Sequence, residues 1–261
     1  MLDLITHIKD WRHWLKASAA VGRLVGENAP LPGPARWKRQ YTNAFILKLQ
    51  AFPLDRRAAC VVDIGANVGL FSRAAELYCP NAKVIAAEPS SRAFAELSAI
   101  CGPRVIKVQS AVGETAGRAQ LLIAEHLASS TLRPVSEEAR NIYGSGAAPT
   151  GLTEDVAVVT LAGLLEQQQV GKVSMLKIDV EGFEPQVLAG AGDWLGPRIE
   201  RIIMEVSVGR LALDGSLDLL KSLAARGYVL VNLLDIYRSP RVAGSPVANF
   251  DVWLTHQSCL G

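Results

Sequence analysis

Three segments of this 261-residue chain set residues able to bind or move charge at the ends of short apolar runs. The first is Val61-Val62-Asp63-Ile64-Gly65-Ala66-Asn67-Val68-Gly69-Leu70-Phe71. An apolar run passes into a glycine-bearing turn and straight into a helix. Such a turn lets backbone approach a ligand closely, and the helix start favours polar or anionic groups. The Gly65-x-x-x-Gly69 spacing differs from the Gly-x-Gly-x-x-Gly of a dinucleotide fingerprint. Asn67 does not spoil the turn, because asparagine is among the few side chains that accept φ > 0. The second segment is Ile85-Ala86-Ala87-Glu88-Pro89. A carboxylate at the tip of the next apolar run, about 20 residues beyond the turn, can accept from both hydroxyls of a ribose. Its competing role is that of a solvated or helix-capping glutamate. The third is Met175-Leu176-Lys177-Ile178-Asp179-Val180-Glu181-Gly182-Phe183-Glu184. Three carboxylates cluster there where an apolar run ends, and charges so placed need partners or a chemical task. Lys177 is one such partner.

The elements needed to position these residues follow from the pattern around them. Residues 58–64, 83–87 and 104–112 read as strands, with helices over 70–78 and 91–100 between them. Short apolar runs alternating with helices indicate a parallel sheet covered on both faces. Residues 117–159 break the rhythm: one strand at 119–124, then a polar Gly- and Pro-containing loop through Gly151, long enough to be a lid or binding loop. Regular order resumes with helix 161–168, strand 173–180, helix 185–191, strand 199–206 and helix 217–226, which ends at Gly227. Residues 228–234 and 250–255 read as two closing strands. Before this domain, residues 1–27 have the apolar spacing of an amphipathic helix, and three prolines between Asn28 and Pro34 end it. We therefore divide the chain into an N-terminal helical extension, 1–57, and one α/β domain, 58–261.

Composition narrows the classes. With 49% hydrophobic and 20% charged residues, the chain is ordinary for a globular protein and unlike a disordered one. A net charge of +2 with no basic block gives no case for nucleic acid; Arg36-Trp37-Lys38-Arg39 reads as a solvated turn or helix face. Cys60, Cys79, Cys101 and Cys259 form no Cys-x-x-Cys pair and read as free thiols. No stretch reaches the ~20 apolar residues of a membrane span, and the N-terminus lacks the apolar core of a signal peptide. The expected location is cytoplasmic. The N-terminal extension is a candidate surface for self-association.

In order and spacing, Asp63-Ile-Gly-Ala-Asn-Val-Gly69, Glu88-Pro89, Leu176-Lys-Ile-Asp-Val-Glu-Gly-Phe-Glu184, Val187-Leu-Ala-Gly-Ala191 and Ile202-Ile-Met-Glu205 together resemble the FkbM family of class I methyltransferases. The resemblance covers residues 58–256 and leaves the extension outside it. It implies a doubly wound Rossmann-like sheet, mostly parallel with an antiparallel C-terminal strand. It also implies S-adenosyl-L-methionine as cofactor and a hydroxyl on a small metabolite, sugar or polyketide-type molecule as acceptor. Carried over residue by residue, Asp63, Gly65, Ala66, Asn67 and Gly69 form the cofactor loop, and Glu88 with Pro89 holds the ribose. Gln109, Ser110 and Ala111 edge the adenine, although no acidic residue for adenine follows the third strand. Asp179 and Glu181 stand over the transferred methyl, while Ser129, Ser130, Thr131 and Glu184 contact substrate.

Methyl transfer from a sulfonium is an in-line displacement, so positioning supplies much of the catalysis. A hydroxyl nucleophile gains from a general base within hydrogen-bond reach, a role for Asp179 or Glu181. No metal is assigned. One of the pair could instead position substrate or hold a metal, for which the strand must end before them, since i and i+2 side chains of an extended chain face opposite ways. His256 is a more distant candidate base. An Asn/Asp-Pro-Pro-Tyr/Phe signature of N-methylation is absent. Two other classes compete. A nicotinamide-dependent oxidoreductase is disfavoured by the glycine spacing and the missing Tyr-x-x-x-Lys pair. A non-catalytic nucleotide-binding or assembly subunit is disfavoured by the intact Asp63, Glu88, Asp179 and Glu181.

Overall fold

The computed structural model describes residues 36–52, 54–124, 132, 149–238 and 248–260. In chain order the elements are α1 (Arg36–Ala51), β1 (Cys60–Ile64), α2 (Leu70–Tyr78), β2 (Lys83–Ala87), α3 (Ser91–Ile100), β3 (Val105–Val108), β4 (Ala111–Gly113), β5 (Gly117–Ala124) and β6 (Pro149–Thr160). They continue with α4 (Leu161–Gln167), β7 (Met175–Ile178), α5 (Glu184–Ala189), β8 (Arg201–Ser207), α6 (Val208–Ala225), β9 (Tyr228–Arg238) and β10 (Ala248–His256).

Seven strands form one sheet in the order β3-β2-β1-β7-β8-β10-β9. The first five are mutually parallel, and β10 runs antiparallel to both β8 and β9. The expected mostly parallel sheet with an antiparallel C-terminal strand is therefore present. Residue alternation decides which helices cover which face. Val61, Val84, Met175, Ile203 and Trp253 point to one side and pack with α1, α2 and α3. Their sequence neighbours Val62, Ile85, Leu176, Ile202 and Val252 point to the other and pack with α4, α5 and α6. Local chemistry fixes the helix starts: Ser90 caps α3 by accepting from Ala93 N–H, and Thr160 caps α4 by accepting from Gly163 N–H.

Three expectations need correction. The single strand expected over 104–112 is two strands, in different sheets. The chain turns where Val108 O accepts from both Glu88 N–H and Ser110 N–H. The stretch expected to be loop up to Gly151 ends in the twelve-residue β6, which joins a three-stranded sheet in the order β4-β6-β5, with β4 parallel and β5 antiparallel to β6. Arg36-Trp37-Lys38-Arg39 opens a sixteen-residue helix, α1, that the sequence reading did not identify. Ile46 and Leu49 of α1 are fully buried, Phe52 stands edge-on to Trp253 at 4.4 Å, and Phe45 stands edge-on to Phe71 at 5.6 Å. The helix expected over 1–27 lies outside the described residues. Among those described, no helix is long and apolar enough to cross a membrane, and Cys60, Cys79 and Cys101 are buried free thiols pushed up to about 12 chiefly by burial.

Candidate active site

The carboxyl ends of the parallel strands share one edge of the large sheet. Strand order reverses between β1 and β7: the chain leaves β1 through α2 on one face and leaves β7 through α5 on the other. In open α/β sheets a ligand crevice opens at such a switch point.

The turn after β1 alternates into the left-handed region at Gly65 (φ 74°), Asn67 (φ 49°) and Gly69 (φ 83°). Gly65 and Ala66 N–H both donate to Ala87 O at 3.0 Å, tying the turn to the tip of β2. The close approach these glycines permit is of the chain to itself. A Cβ on Gly65 would lie 1.9 Å from Asp179 O, and one on Gly69 2.9 Å from Cys101 Sγ. Asp63 is fully buried beneath the turn, where Oδ2 accepts from Ser72 Oγ at 2.6 Å and Oδ1 lies 3.3 Å from Lys177 Nζ. It shapes the turn from below.

Glu88 sits at the tip of β2. Its Oε2 accepts from Asn67 N–H at 2.8 Å and its Oε1 from Ser90 N–H at 2.9 Å, so the carboxylate joins the β1 and β2 loops. Burial pushes it up to about 7, although both N–H donors work the other way. Pro89 follows, half-buried. Beyond β3, Ser110 and Ala111 are buried, and exposed Gln109 donates from Nε2 to Ser91 Oγ at 3.0 Å. Ser91 in turn bonds Glu154 of β6 through its N–H and hydroxyl. An acidic group thus reaches this edge from the inserted sheet.

On the other side of the crevice β7 ends at Ile178, and the chain turns through Glu181 (φ 57°) and Gly182 (φ 95°). The strand has ended before Asp179, and Asp179 and Glu181 lie together. With Glu205 of β8 they place one carboxylate oxygen each within 4.8 Å of one another, a spacing one divalent cation could bridge and one that acidic groups also adopt without an ion. Asp179 has 43% of its side chain exposed and lies 3.2 Å from Lys177 Nζ. Burial, then the charges of Asp179, Glu181, Glu184 and Asp251, push Glu205 well above the usual carboxylate range. Burial alone works against the Lys177 charge, yet Asp179 and Asp63 hold its ammonium above the ordinary lysine range.

The structure thus brings Asp63, Gly65, Ala66, Asn67, Gly69, Glu88, Asp179 and Glu181 to one crevice. Glu184, expected against substrate, is entirely buried and turned back on the chain: its Oε1 accepts from Val180 and Gly182 N–H, and burial pushes it up to about 7. Ser129, Ser130 and Thr131 lie outside the described residues. His256 is at the opposite edge, where its N–H donates to Glu200 O just before β8 begins, so it is no base for this site. From sequence Glu205 received no role and Lys177 only that of a neutralising partner to the carboxylates. The signal for Glu205 was present, since it is an acid set among the apolar Ile202, Ile203, Met204 and Val206.

These residues fit a nucleoside-bearing cofactor. Asn67 Oδ1 is a buried acceptor in the turn with no donor from the protein, and Glu88 crowns the neighbouring strand as ribose binding requires. Fold and site define a class I S-adenosylmethionine-dependent methyltransferase.

The profile of the methyltransferase FkbM domain matches residues 63–230. The chain belongs to that family. It is 29% identical over 209 residues to the 31-O-demethyl-FK506 methyltransferase FkbM of Streptomyces tacrolimicus, covering 72% of this chain and 77% of that protein. It is 28% identical over 172 residues to the methyltransferase sdnD of Sordaria araneosa, covering 56% of this chain and 65% of that one. Among solved structures, the precorrin-6Y C5,15-methyltransferase of Geobacter metallireducens aligns over 82% of this chain and 87% of its own at 12% identity and a TM-score of 0.42. A protein of Listeria monocytogenes, assigned as an S-adenosylmethionine-dependent methyltransferase, aligns over 82% of this chain and 98% of its own at 10% identity and a TM-score of 0.45.

Proposed function

We infer that this methyltransferase acts on oxygen, methylating a hydroxyl of a small metabolite, sugar or polyketide-type acceptor. The observation that carries the reading is the meeting of the Gly65–Gly69 turn with Asp179, Glu181 and Glu205 across the β1/β7 switch point. A hydroxyl is a weak nucleophile until a base takes its proton, and carboxylates beside the methyl position are suited to that task. The relative from Streptomyces tacrolimicus, named for an O-demethyl substrate, supports oxygen as the acceptor atom. The catalytic unit spans 58–261, with α1 packed against it.

The bound cofactor supplies an electrophilic sulfonium methyl. This chain's residues do the rest. Glu88 would accept from the ribose hydroxyls, and the turn over Asp63 would orient the ligand. Gln109, Ser110 and Ala111 would flank its base. Asp179, held beside Lys177, stands at the mouth of the crevice as the group to receive the acceptor's proton. Glu181 and Glu205 crowd the same point; the protonated Glu205 can donate to an acceptor oxygen and fix its lone pair toward the methyl.

Calorimetric titration with S-adenosylmethionine and S-adenosylhomocysteine tests the first half of this reading. Wild type should bind in the micromolar range, and Glu88→Ala should weaken binding by about tenfold or more through loss of the charged acceptor. A folded wild type that binds neither would overturn the enzymatic reading in favour of a non-catalytic subunit. Screening hydroxylated against amine acceptors then tests the choice of oxygen: methylation of amines alone defeats it.

A further inference from the structure

Lys177 is buried in a strand whose same-face neighbours, Met175 and Ile203, are apolar, and it faces Asp63 directly across the β1–β7 pairing. An ammonium in such a place costs several kcal/mol unless fully paired. Asp63 alone would serve as counter-ion. The Lys177 side chain does more: Nζ lies 3.3 Å from Asp63 Oδ1, 3.2 Å from Asp179 Oδ2 and donates to Gly65 O at 3.4 Å, with the Phe71 ring at 5.8 Å on its flank. Asp179 is exposed enough to be solvated without it, and Gly65 O belongs to the cofactor turn. One cation therefore ties the loop after β1 to the loop after β7, the two segments that border the crevice. Backbone contact at the same place is already tight, with Asp179 N–H donating to Ile64 O at 3.0 Å.

We propose that Lys177 is a positioning residue of the methyl-transfer site, a clamp that sets the separation between the donor-binding turn and Asp179. The proposal rests on the methyltransferase reading above. Its action is indirect: Lys177 touches neither donor nor acceptor but fixes Gly65 on one side and the acceptor-facing carboxylate on the other. Displacements near an ångström at such a point cost about a hundredfold in rate, so a charge placed to remove that freedom has a catalytic consequence beyond neutralising Asp63.

A plain Lys177→Met strands Asp63 in the core and is expected to lose stability for that reason alone. The informative comparison is Asp63→Asn against Asp63→Asn with Lys177→Met, read by thermal unfolding and by calorimetry with S-adenosylhomocysteine. Neither variant contains the Asp63–Lys177 ion pair, so they differ in what Lys177 Nζ still holds, the contacts to Gly65 and Asp179 beside the Phe71 ring. The double variant no longer buries a half-paired ammonium and should melt no lower than Asp63→Asn, yet the clamp predicts that it binds about tenfold more weakly. Lys177→Arg reads the same clamp without stranding a carboxylate. It keeps the counter-charge but its planar group cannot hold all three contacts, so it should bind several-fold more weakly than wild type. Binding within twofold of the matched control in both comparisons overturns the clamp and leaves Lys177 a counter-ion. Wild type that fails to bind S-adenosylhomocysteine overturns the donor reading, and the proposal with it.

Discussion

Burial holds Glu88 at about 7, which makes cofactor affinity a function of pH. Two of its lone pairs already take Asn67 and Ser90 N–H, and the remaining ones serve a ribose best when the group is ionised. Below about 7 a proton must leave before the ligand binds. The affinity for S-adenosylhomocysteine should therefore fall about tenfold between pH 8 and pH 6. In Glu88→Gln it should be weaker and nearly flat over that range. A wild-type profile as flat as the variant's shows that the ionised carboxylate is not the acceptor. Glu88 was legible in sequence because an acid closing an apolar run is rare and its distance from the turn is informative. Lys177 was not, since one lysine in a strand reads as a neutralising charge until its three partners are seen. Glu184 misled for a related reason. Its spacing matched its neighbours, but Glu181 and Gly182 turn left-handed and swing it into the core.

The strands and helices of the large sheet were legible almost to the residue where one apolar run serves one element, as in β2, α2 and α3. Reading failed where pairing partners are distant in sequence. β5 finds β6 across residues 125–148, and only the last half of β6 carries a continuous apolar pattern, so nothing local announces the small sheet. Two glycines separate the elements that serve the crevice from those that only support it. Gly65 lies under Asp179 O and has positive φ, so Gly65→Ala forces β1 and β7 apart at the switch point. It should cost about 3 kcal/mol or more and abolish binding of S-adenosylhomocysteine. Gly190, after α5, would place a Cβ 2.0 Å from Gly113 O of β4. Gly190→Ala should destabilise comparably while retained folded protein binds within a few-fold of wild type. Chemical denaturation and calorimetry on the two variants distinguish these outcomes. Equal loss of binding in both removes the distinction between crevice and support.

At the scale of the whole molecule, the fold carries the electrostatic cost of its own site. Glu88 and Glu184 are buried and held at about 7, and Glu205 is raised by burial and by four neighbouring carboxylates. Each binds its proton more tightly folded than unfolded. Their contribution to stability is therefore full below about 4.5, where both states are protonated, and is lost as pH rises toward 7 and above. Glu88 and Glu184 should each account for about 3 kcal/mol of that loss. The molecule also depends on α1 and the residue after it, which sequence placed in an extension: Phe52, just past the helix, fills the core against Trp253, so Phe52→Ala should cost about 3 kcal/mol at any pH. The two effects can be read together in urea unfolding at pH 5.5 and pH 8. Wild type should be more stable at the lower pH, the reverse of a fold held by salt-bridged acids. Glu184→Gln, which keeps the shape but cannot ionise, should narrow the difference, and Phe52→Ala should lower both values equally and leave it intact. A wild type more stable at pH 8 would mean that these carboxylates ionise freely in the folded chain, and that the acidic crevice is open to solvent rather than held under the stress that burial implies.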